Sequence, residues 1–325
     1  MMKDPAHLES EKLLEEMERK IAGVYRQAAT ETQGKLGEYM AAFTRKDEQW
    51  KKKLEAGEIT QKQYDDWRIG QIMTGKRWQE MRDTLADDYH NANEIARSIV
   101  NGYMPDVYAL NHNYATFEVE KASRVDTSYT LYDRQTVERL IRGDPQILPS
   151  PGKRVKAEIA AKQDIAWQEG QIQSVMTQSI LQGESIPRIA KRISSTVSTR
   201  NDAAAVRYAR TATTAAQNAG RVDGYKRAED MGIQMQQEWI ATLDDHVRDS
   251  HALLHGETVE VGGTFSNGCR YPGDPQGPAS EIWNCRCTLV AELKGFERNK
   301  EDLGFTDNER LGGMTYEEWR KAHGG

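Results

Sequence analysis

The spacing of apolar residues changes at Gly232, and this change limits the possible folds more than any other feature of the chain. Before Gly232, apolar residues recur every three or four positions, which is the spacing of one helical face. In residues 8–57 they include Leu13, Leu14, Met17, Ile21, Val24 and Tyr25. After Gly232, residues 233–239, 258–261 and 287–293 are spaced as in β-strands. The sequence therefore predicts an α+β fold, with mostly long helices over residues 1–232 followed by a small antiparallel β-containing C-terminal module.

Proline and glycine residues divide this pattern into segments. Three prolines between 145 and 151 interrupt the helical spacing, because proline disfavours a helix at and before its own position. We predict an N-terminal helical region at 1–144, a proline-rich linker at 145–152, a second helical region at 153–232, a small β-rich Cys/His module at 233–296, and a polar tail at 297–325. Thr315 and Glu318 have the spacing of a capping box and predict one short helix in the tail.

Glycines and polar runs also predict breaks inside the two helical regions. We expect an interruption of the first long helix near Gly34 or Gly37, and the end of a later helix at Asn101 and Gly102. A loop is expected over residues 194–201, where small polar residues are frequent.

Composition excludes several broad classes of protein. Of the 325 residues, 38% are hydrophobic and 29% are charged, and mean hydropathy is −0.78. The 13 Tyr and 7 Trp argue against wholesale disorder. A net charge of −6 is not that of a general nucleic-acid-binding protein. No apolar run is long enough to span a bilayer, and we expect a protein made in a reducing cytoplasm and not bound to membranes.

Residues 239–293 contain all three cysteines and three of the seven histidines. His251, Cys269, Cys285 and Cys287 are all suitable ligand types for a structural zinc ion. The alternative is that Cys285 and Cys287, two apart on a strand, point to one face and pack as small apolar side chains. His251 would then be hydrogen-bonded to a loop carbonyl or to Asp244. The sequence leaves both interpretations open, and we otherwise expect no cofactor.

The same stretch lacks the residues of several kinds of catalytic site. His251 and His255 have the spacing of a helical zinc-peptidase motif, but Ala252 stands where that motif needs a glutamate base. Neither a phosphate-binding glycine loop with lysine nor a nucleophile elbow is present. Asp244 and Arg248 are expected to form an ion pair that fixes a turn. We therefore predict no catalytic residues.

A basic segment stands out against the acidic whole. Residues 185–228 contain nine basic and two acidic residues, a net charge of +7. One interpretation is a surface that faces DNA or an acidic partner; the other is an ordinary solvated helix face. Under the first interpretation, the candidate residues are Arg188, Lys191, Arg192, Arg207, Arg210 and Arg221.

Short motifs in the C-terminal half resemble the Mu F-like family of phage minor head proteins. The most specific of them lie in the Cys/His module. They are Asp244, Arg248 and His251, then Gly256, a Y-P-G-D-P turn at 271–275, and the N-C-R-C run of Asn284, Cys285, Arg286 and Cys287. Weaker similarity extends upstream through Arg210, Thr211, Gln217, Asn218, Gly220 and Arg221 and through residues 131–137. It covers the chain from about Met104 onward.

The resemblance implies a non-enzymatic minor head protein that binds the portal inside the procapsid and contributes to head assembly or DNA ejection. It implies a place in the virion, inside the capsid near the portal, after assembly in the cytoplasm of a bacterial host. Scaffold or major capsid protein and packaged double-stranded DNA are further expected partners, and the apolar stripes of the N-terminal helices are expected to contact partner helices. The alternative is a metal-dependent nuclease or transferase that uses His251, Cys285 and Cys287.

Overall fold

The structure of the chain, a computed structural model, describes residues 4–73, 75–123, 129–148, 157–182, 184–294 and 314–325. Within these residues it contains long helices and one small sheet, which confirms the predicted α+β fold. The elements are α1 (Pro5–Glu55), α2 (Gln61–Met73), α3 (Lys76–Ser123), α4 (Arg134–Gly143), α5 (Ala157–Leu181), α6 (Ile186–Asp230), β1 (Met235–Ile240), α7 (Asp249–Leu253), β2 (Thr258–Glu260), α8 (Ala279–Ile282), β3 (Thr288–Leu293) and α9 (Tyr316–Ala322). No helix among the described residues is both long and apolar enough to cross a membrane.

Contacts divide the chain into two compact units that are each discontinuous in sequence. Unit 1 comprises Met1–Glu18, Ile99–Lys153 and Val206–Gly325, and unit 2 comprises Arg19–Ser98 and Arg154–Ala205. The unit boundaries fall inside α1, α3 and α6, whereas the segments predicted from the sequence were consecutive. Of the predicted linker at 145–152, residues 149–152 lie outside the described residues, as does the predicted tail up to residue 313.

Unit 2 consists of antiparallel helices packed through apolar and aromatic side chains. The Thr32 hydroxyl of α1 donates to the Tyr89 hydroxyl of α3 at 3.1 Å, and Trp78 Nε1 of α3 donates to Gln173 Oε1 of α5 at 2.8 Å. Its fully buried side chains include Ile21, Leu36, Trp78, Leu85, Tyr89, Ile172, Met176, Ile193 and Val197. Helices of this kind obtain most of their stability from such packing.

Three helical breaks predicted from the sequence are absent from the structure. α1 runs through Gly34 and Gly37, α3 runs through Gly102, and α6 runs through residues 194–201. A single glycine costs a helix only about 1 kcal/mol relative to alanine, so tertiary packing can outweigh it. In the expected loop at 194–201, Val197 is fully buried, and its burial stabilises the continuous helix.

In unit 1, α3 and α6 pack unusually closely. A Cβ atom at Gly220 of α6 would lie 2.5 Å from the Tyr108 carbonyl oxygen of α3, and one at Gly224 would lie 3.0 Å from the Ala115 Cβ. Side chains larger than hydrogen therefore do not fit at these two positions. The close approach brings the polar face of α6 into the core of unit 1.

The sheet follows directly from the end of α6. Gly232 has a φ of +91°, its N–H donates to the Glu229 carbonyl at 2.8 Å, and the Ile233 N–H donates to the Ala228 carbonyl at 3.1 Å. This is the Schellman helix end, which favours glycine, and it confirms the predicted stop. The three strands are antiparallel in the order β2-β1-β3, and Trp239 of β1 is aligned with Leu289 of β3.

The predicted helix in the tail is also present. The Thr315 hydroxyl accepts from the Glu318 N–H at 3.2 Å, and the Glu318 carboxylate accepts from the Thr315 N–H at 2.8 Å, which completes a capping box at the start of α9. α9 packs Tyr316 and Trp319 into a small cluster with Ala6 of α1. The two ends of the described chain therefore share one core in unit 1.

Candidate metal centre

A polar face of α6 holds the chain segment that carries Cys285 and Cys287. Thr211, Thr214 and Asn218 are three and four residues apart, so they lie on one side of the helix. The Thr214 hydroxyl donates to the Cys285 carbonyl at 2.6 Å, and Asn218 Nδ2 donates to the Cys287 carbonyl at 3.2 Å. Both cysteines are thereby fixed through their backbones, which leaves their sulfur atoms free for other contacts.

Further hydrogen bonds from α6 fix the backbone on both sides of the two cysteines. The Thr211 hydroxyl accepts from the Asn284 N–H at 3.1 Å, and the Asn218 side-chain oxygen accepts from the Leu289 N–H at 3.0 Å. Asn284 has a φ of +54°, a conformation that asparagine tolerates better than most residues. Asparagine at this position therefore suits the sharp turn that leads into Cys285.

Arg221 continues the same face of α6 and is completely buried. Its Nη1 donates to the Leu289 carbonyl of β3 at 2.8 Å, and its Nε donates to Asn111 Oδ1 of α3 at 3.2 Å. Its Nη2 forms an ion pair with Asp4 just before α1, and both side chains are 0% exposed. A buried guanidinium needs such a full set of partners. Arg221 therefore cannot face DNA or a protein partner, and that part of the sequence interpretation is wrong.

The structure brings His251, Cys285 and Cys287 together. The Cys287 Sγ atom lies 3.5 Å from His251 Nδ1, and the Cys285 Sγ atom lies 3.7 Å from the same nitrogen. All three ligand atoms lie within 4.8 Å of one another, and all three residues are buried. They form a group of donor atoms of the kind that binds zinc, and we call it the Cys/His cluster.

Two neighbours complete the surroundings of the histidine. Its Nε2 is buried without a well-aligned hydrogen bond, but Glu281 Oε2 of α8 lies 3.1 Å away. The ring of Trp239 in β1 meets the imidazole edge-on, with ring centroids 5.4 Å apart. Glu281 did not feature among the predicted site residues, since nothing in its sequence spacing links it to His251.

The two thiols of the cluster share their protons unequally. A hydrogen bond from the Cys285 side chain, together with one from His251, lowers the pKa of Cys287 to about 5, although burial opposes the shift. The same hydrogen bond and burial raise the pKa of Cys285 well above its ordinary value. One thiolate is thus readily formed in this pair, and thiolate is the form that binds metals.

Cys269, the fourth predicted ligand, does not belong to the Cys/His cluster. It is 0% exposed and packs in the hydrophobic core of unit 1. A Cβ at Gly277 would lie 2.5 Å from the Cys269 sulfur, so the loop is closed tightly around that side chain. Burial raises the pKa of the Cys269 thiol to about 12, which favours the neutral thiol of a packed core residue.

The loop before α7 is held by different ion pairs from those predicted. Asp244 pairs with Arg286 through two contacts of 2.5 and 2.6 Å, not with Arg248, which instead donates to the Trp283 carbonyl. Asp244 and Arg248 lie before α7, which begins only at Asp249, so the predicted ion pair between them is wrong. Both arginines nevertheless tie this loop to the segment that carries the cysteines.

Gly256, another residue that carries the family resemblance, also has a role in the backbone conformation. It has a φ of +84°, and its N–H donates to the Trp239 carbonyl at 2.9 Å. Glycine is the residue best suited to this left-handed conformation. The turn after α7 is therefore closed against β1, the strand that contacts His251.

Five basic residues predicted to face DNA or a partner remain besides Arg221. Two of them are paired within the chain. Arg192 contacts Glu184 at 3.1 Å and Arg210 contacts Glu18 at 2.8 Å. The other three, all exposed, are Arg188, Lys191 and Arg207.

Residues 170–290 match the profile of a family described as "Phage Mu protein F like protein". This stretch is Mu F-like. The Mu F-like stretch begins in α5, contains all of α6, and ends within β3. It therefore includes both the polar face of α6 and the Cys/His cluster.

Two curated proteins are similar to the chain. The minor head protein GP7 of Bacillus phage SPP1 is 22% identical over 255 residues, which are 76% of this chain and 77% of that protein. NAD(+)–arginine ADP-ribosyltransferase EFV of Enterococcus faecalis is 27% identical over 233 residues, which are 70% of this chain but 45% of that enzyme. The chain thus spans less than half the length of the transferase. No solved structure matches the chain.

Proposed function

We propose that the protein is a structural minor head protein of a bacteriophage, incorporated in the virion together with other capsid components. The observation that carries this proposal is the Mu F-like stretch at residues 170–290. The similarity to a phage minor head protein over about three quarters of both chains supports it. Within this stretch, side chains of α6 hydrogen-bond to the backbone of residues 284–289, which suits a rigid component of an assembly.

Deletion of the gene from the phage or prophage that encodes this chain tests the proposal. We expect purified wild-type particles to contain the chain, and particles made without it to show reduced infectivity that a plasmid copy restores. Immunodetection of the chain in purified heads and plaque titre are the two measurements. Particles that lack the chain at normal titre would contradict the proposal.

We further propose that the chain lies inside the capsid near the portal and acts in head assembly or DNA ejection. The surface that we propose for binding the portal, scaffold or major capsid protein differs from the one expected from the sequence. The apolar residues of α1 predicted as a stripe for partners, such as Met17, Ile21 and Tyr25, are buried within the chain itself. Among the described residues of α1, α2 and α3, the exposed large apolar residues are Leu8, Ile69 and Ile95. We therefore expect mainly charged and polar helix surfaces to make these contacts, and such contacts weaken as salt increases.

Cosedimentation of purified chain with purified portal rings tests this placement. We expect binding at low salt that decreases between about 50 and 500 mM salt, because screening lengths shorten over that range. Major capsid protein in the same assay is the matched comparison. Equal binding to both proteins, or binding unaffected by salt, would contradict a specific electrostatic contact with the portal.

Contact with packaged double-stranded DNA remains a separate proposal. The charges of Arg192 and Arg210 are paired within the chain, and Arg221 is buried. The candidates for DNA contact are therefore the exposed residues Arg188, Lys191 and Arg207. Three phosphate contacts predict a modest dependence of affinity on salt, with a logarithmic slope of about −3. A DNA titration of the wild type and of the triple alanine variant would measure it, and identical curves would exclude these residues.

The geometry favours this structural role over the alternative of a nuclease or transferase that uses His251, Cys285 and Cys287. These side chains are 2%, 1% and 3% exposed. A catalytic group must reach its substrate within hydrogen-bonding distance, and these groups do not reach the surface. The transferase similarity does not change this preference, because the chain spans less than half of that enzyme.

A further inference from the structure

We propose that the Cys/His cluster binds one zinc ion through His251 Nδ1, Cys285 Sγ and Cys287 Sγ, with Glu281 orienting the histidine. This inference is independent of the proposed role in the phage head. It differs from the four-ligand set expected from the sequence, because the Cys269 sulfur is not in the group of ligand atoms that lie within 4.8 Å of one another, and Glu281 joins as a partner of His251.

The distances between the donor atoms fit a tetrahedral zinc site. Zinc–sulfur bonds of about 2.3 Å and zinc–nitrogen bonds of about 2.0–2.1 Å, at a tetrahedral angle, place sulfur and nitrogen about 3.6 Å apart. The observed separations of Cys287 Sγ and Cys285 Sγ from His251 Nδ1 are 3.5 and 3.7 Å. Both sulfur–nitrogen separations therefore match a tetrahedral site, and all three ligand atoms lie within 4.8 Å of one another.

The charges of the three ligands suit a buried site. Two thiolates and a neutral imidazole offset the double charge of Zn²⁺, so the occupied site is electrically neutral. Neutrality matters here because an uncompensated charge is costly to bury, and all three side chains are at most 3% exposed.

The surroundings hold the ligands in place before a metal arrives. α6 fixes the carbonyls of Cys285 and Cys287, and Arg248 fixes the Trp283 carbonyl just before them. Coordination through His251 Nδ1 puts the ring proton on Nε2, which faces Glu281 Oε2 at 3.1 Å. A carboxylate in this position is the usual partner of a zinc-bound histidine.

Metal analysis of the full chain tests the proposal. The protein would be purified in reducing buffer without chelator and with a tag that contains no histidines. We expect one zinc per chain, and thiolate-to-metal absorption bands when cobalt replaces zinc. X-ray absorption of the zinc form should show two sulfur neighbours. Wild-type protein that takes up neither metal after reconstitution would overturn the proposal.

Variants then identify the ligands. Cys285→Ser, Cys287→Ser and His251→Ala should each lose the bound zinc, whereas Cys269→Ser, which alters an equally buried thiol, should keep it. Glu281→Gln should keep the metal but bind it about 10–100-fold more weakly, the usual effect of removing such a partner. Loss of zinc from Cys269→Ser, with retention in Cys287→Ser, would overturn the assignment. If a ligand variant fails to fold, the wild-type cobalt spectrum still decides the question.

Discussion

Unit 1 and unit 2 are stabilised by different kinds of interaction. In unit 2, the buried polar residues among those described are all neutral, namely Thr32, Gln168, Ser179, Ser198 and Asn201, and apolar side chains fill the rest of its core. Unit 1 buries charged residues as well, including Asp4, Arg221 and Asp274. Its contacts are also directional, because a guanidinium or amide stabilises a core only when its hydrogen bonds are made.

The difference shows which contacts depend on specific partners. Unit 2 can exchange one apolar side chain for another of similar size with moderate cost. In unit 1, Arg221 contacts residues 217 positions before it and 68 after it in the sequence. The Mu F-like stretch extends into both units but contains the polar face of α6 in unit 1. Three substitutions and one pH titration test this difference between the two units.

Arg221→Ala should have the largest effect. Removal of one partner from a buried ion pair leaves Asp4 charged and uncompensated, which costs about 3–5 kcal/mol. Arg210→Ala on the same helix is the matched control, since Arg210 pairs with Glu18 on the surface and such pairs contribute about 0–1 kcal/mol. Urea unfolding of both variants would measure the difference. Equal losses of stability would contradict the directional character of unit 1.

Leu85→Ala tests the apolar character of unit 2. Leu85 is 0% exposed in α3, and a cavity of this size costs about 2–5 kcal/mol. By contrast, Leu85→Met keeps most of the volume and should cost less than about 1.5 kcal/mol. Thermal unfolding of the two variants provides the measurement. A methionine variant as unstable as the alanine variant would mean that unit 2 requires specific shapes as strictly as unit 1.

The same contrast explains what could be predicted from the sequence. Apolar spacing predicted that residues before Gly232 are helical, because that signal is local and repeats along the chain. It did not predict the continuity of α1, α3 and α6, because packing across distant segments outweighs local helix breakers such as Gly102. Helix ends with a complete local signature, such as Gly232 and Thr315, were predicted correctly.

For the candidate site, the ligand residues could be predicted from their side-chain chemistry, but the residues that each of them contacts could not. Cysteine and histidine chemistry indicated His251, Cys285 and Cys287, which the structure brings together. Nothing local excluded Cys269, and nothing local linked Glu281 to His251 across 30 residues. Asp4 was missed for the same reason, because its partner Arg221 is visible only in the folded chain. The helical spacing of Thr211, Thr214, Asn218 and Arg221 was the one available signal for a polar buried face.

Gly220→Ala tests the close approach of α3 and α6 in unit 1. The added methyl group would lie 2.5 Å from the Tyr108 carbonyl, and such overpacking costs about 1–3 kcal/mol. Gly170→Ala in α5 of unit 2 is the matched control, because no atom lies within 4 Å of its added Cβ. That change should instead stabilise the helix by about 0.5–1 kcal/mol. Thermal melts decide the sign of each, and a stable Gly220→Ala protein would contradict the close packing.

Protonation of Asp244 should have the smallest effect, because its ion pair with Arg286 lies at the surface of unit 1. Hydrogen bonds from Arg286 lower the pKa of Asp244 to about 2, against about 3.9 in an unfolded chain. The lowered pKa means that the folded form binds the proton less tightly. The resulting stability is therefore fully present above about pH 4 and is lost as pH falls toward 2. A carbon-13 NMR titration of the Asp244 carboxyl group would measure this pKa, and Arg286→Gln should return it toward 3.9. A normal pKa in the wild type would show that this pair does not hold the loop, and that the directional contacts of unit 1 are confined to its interior.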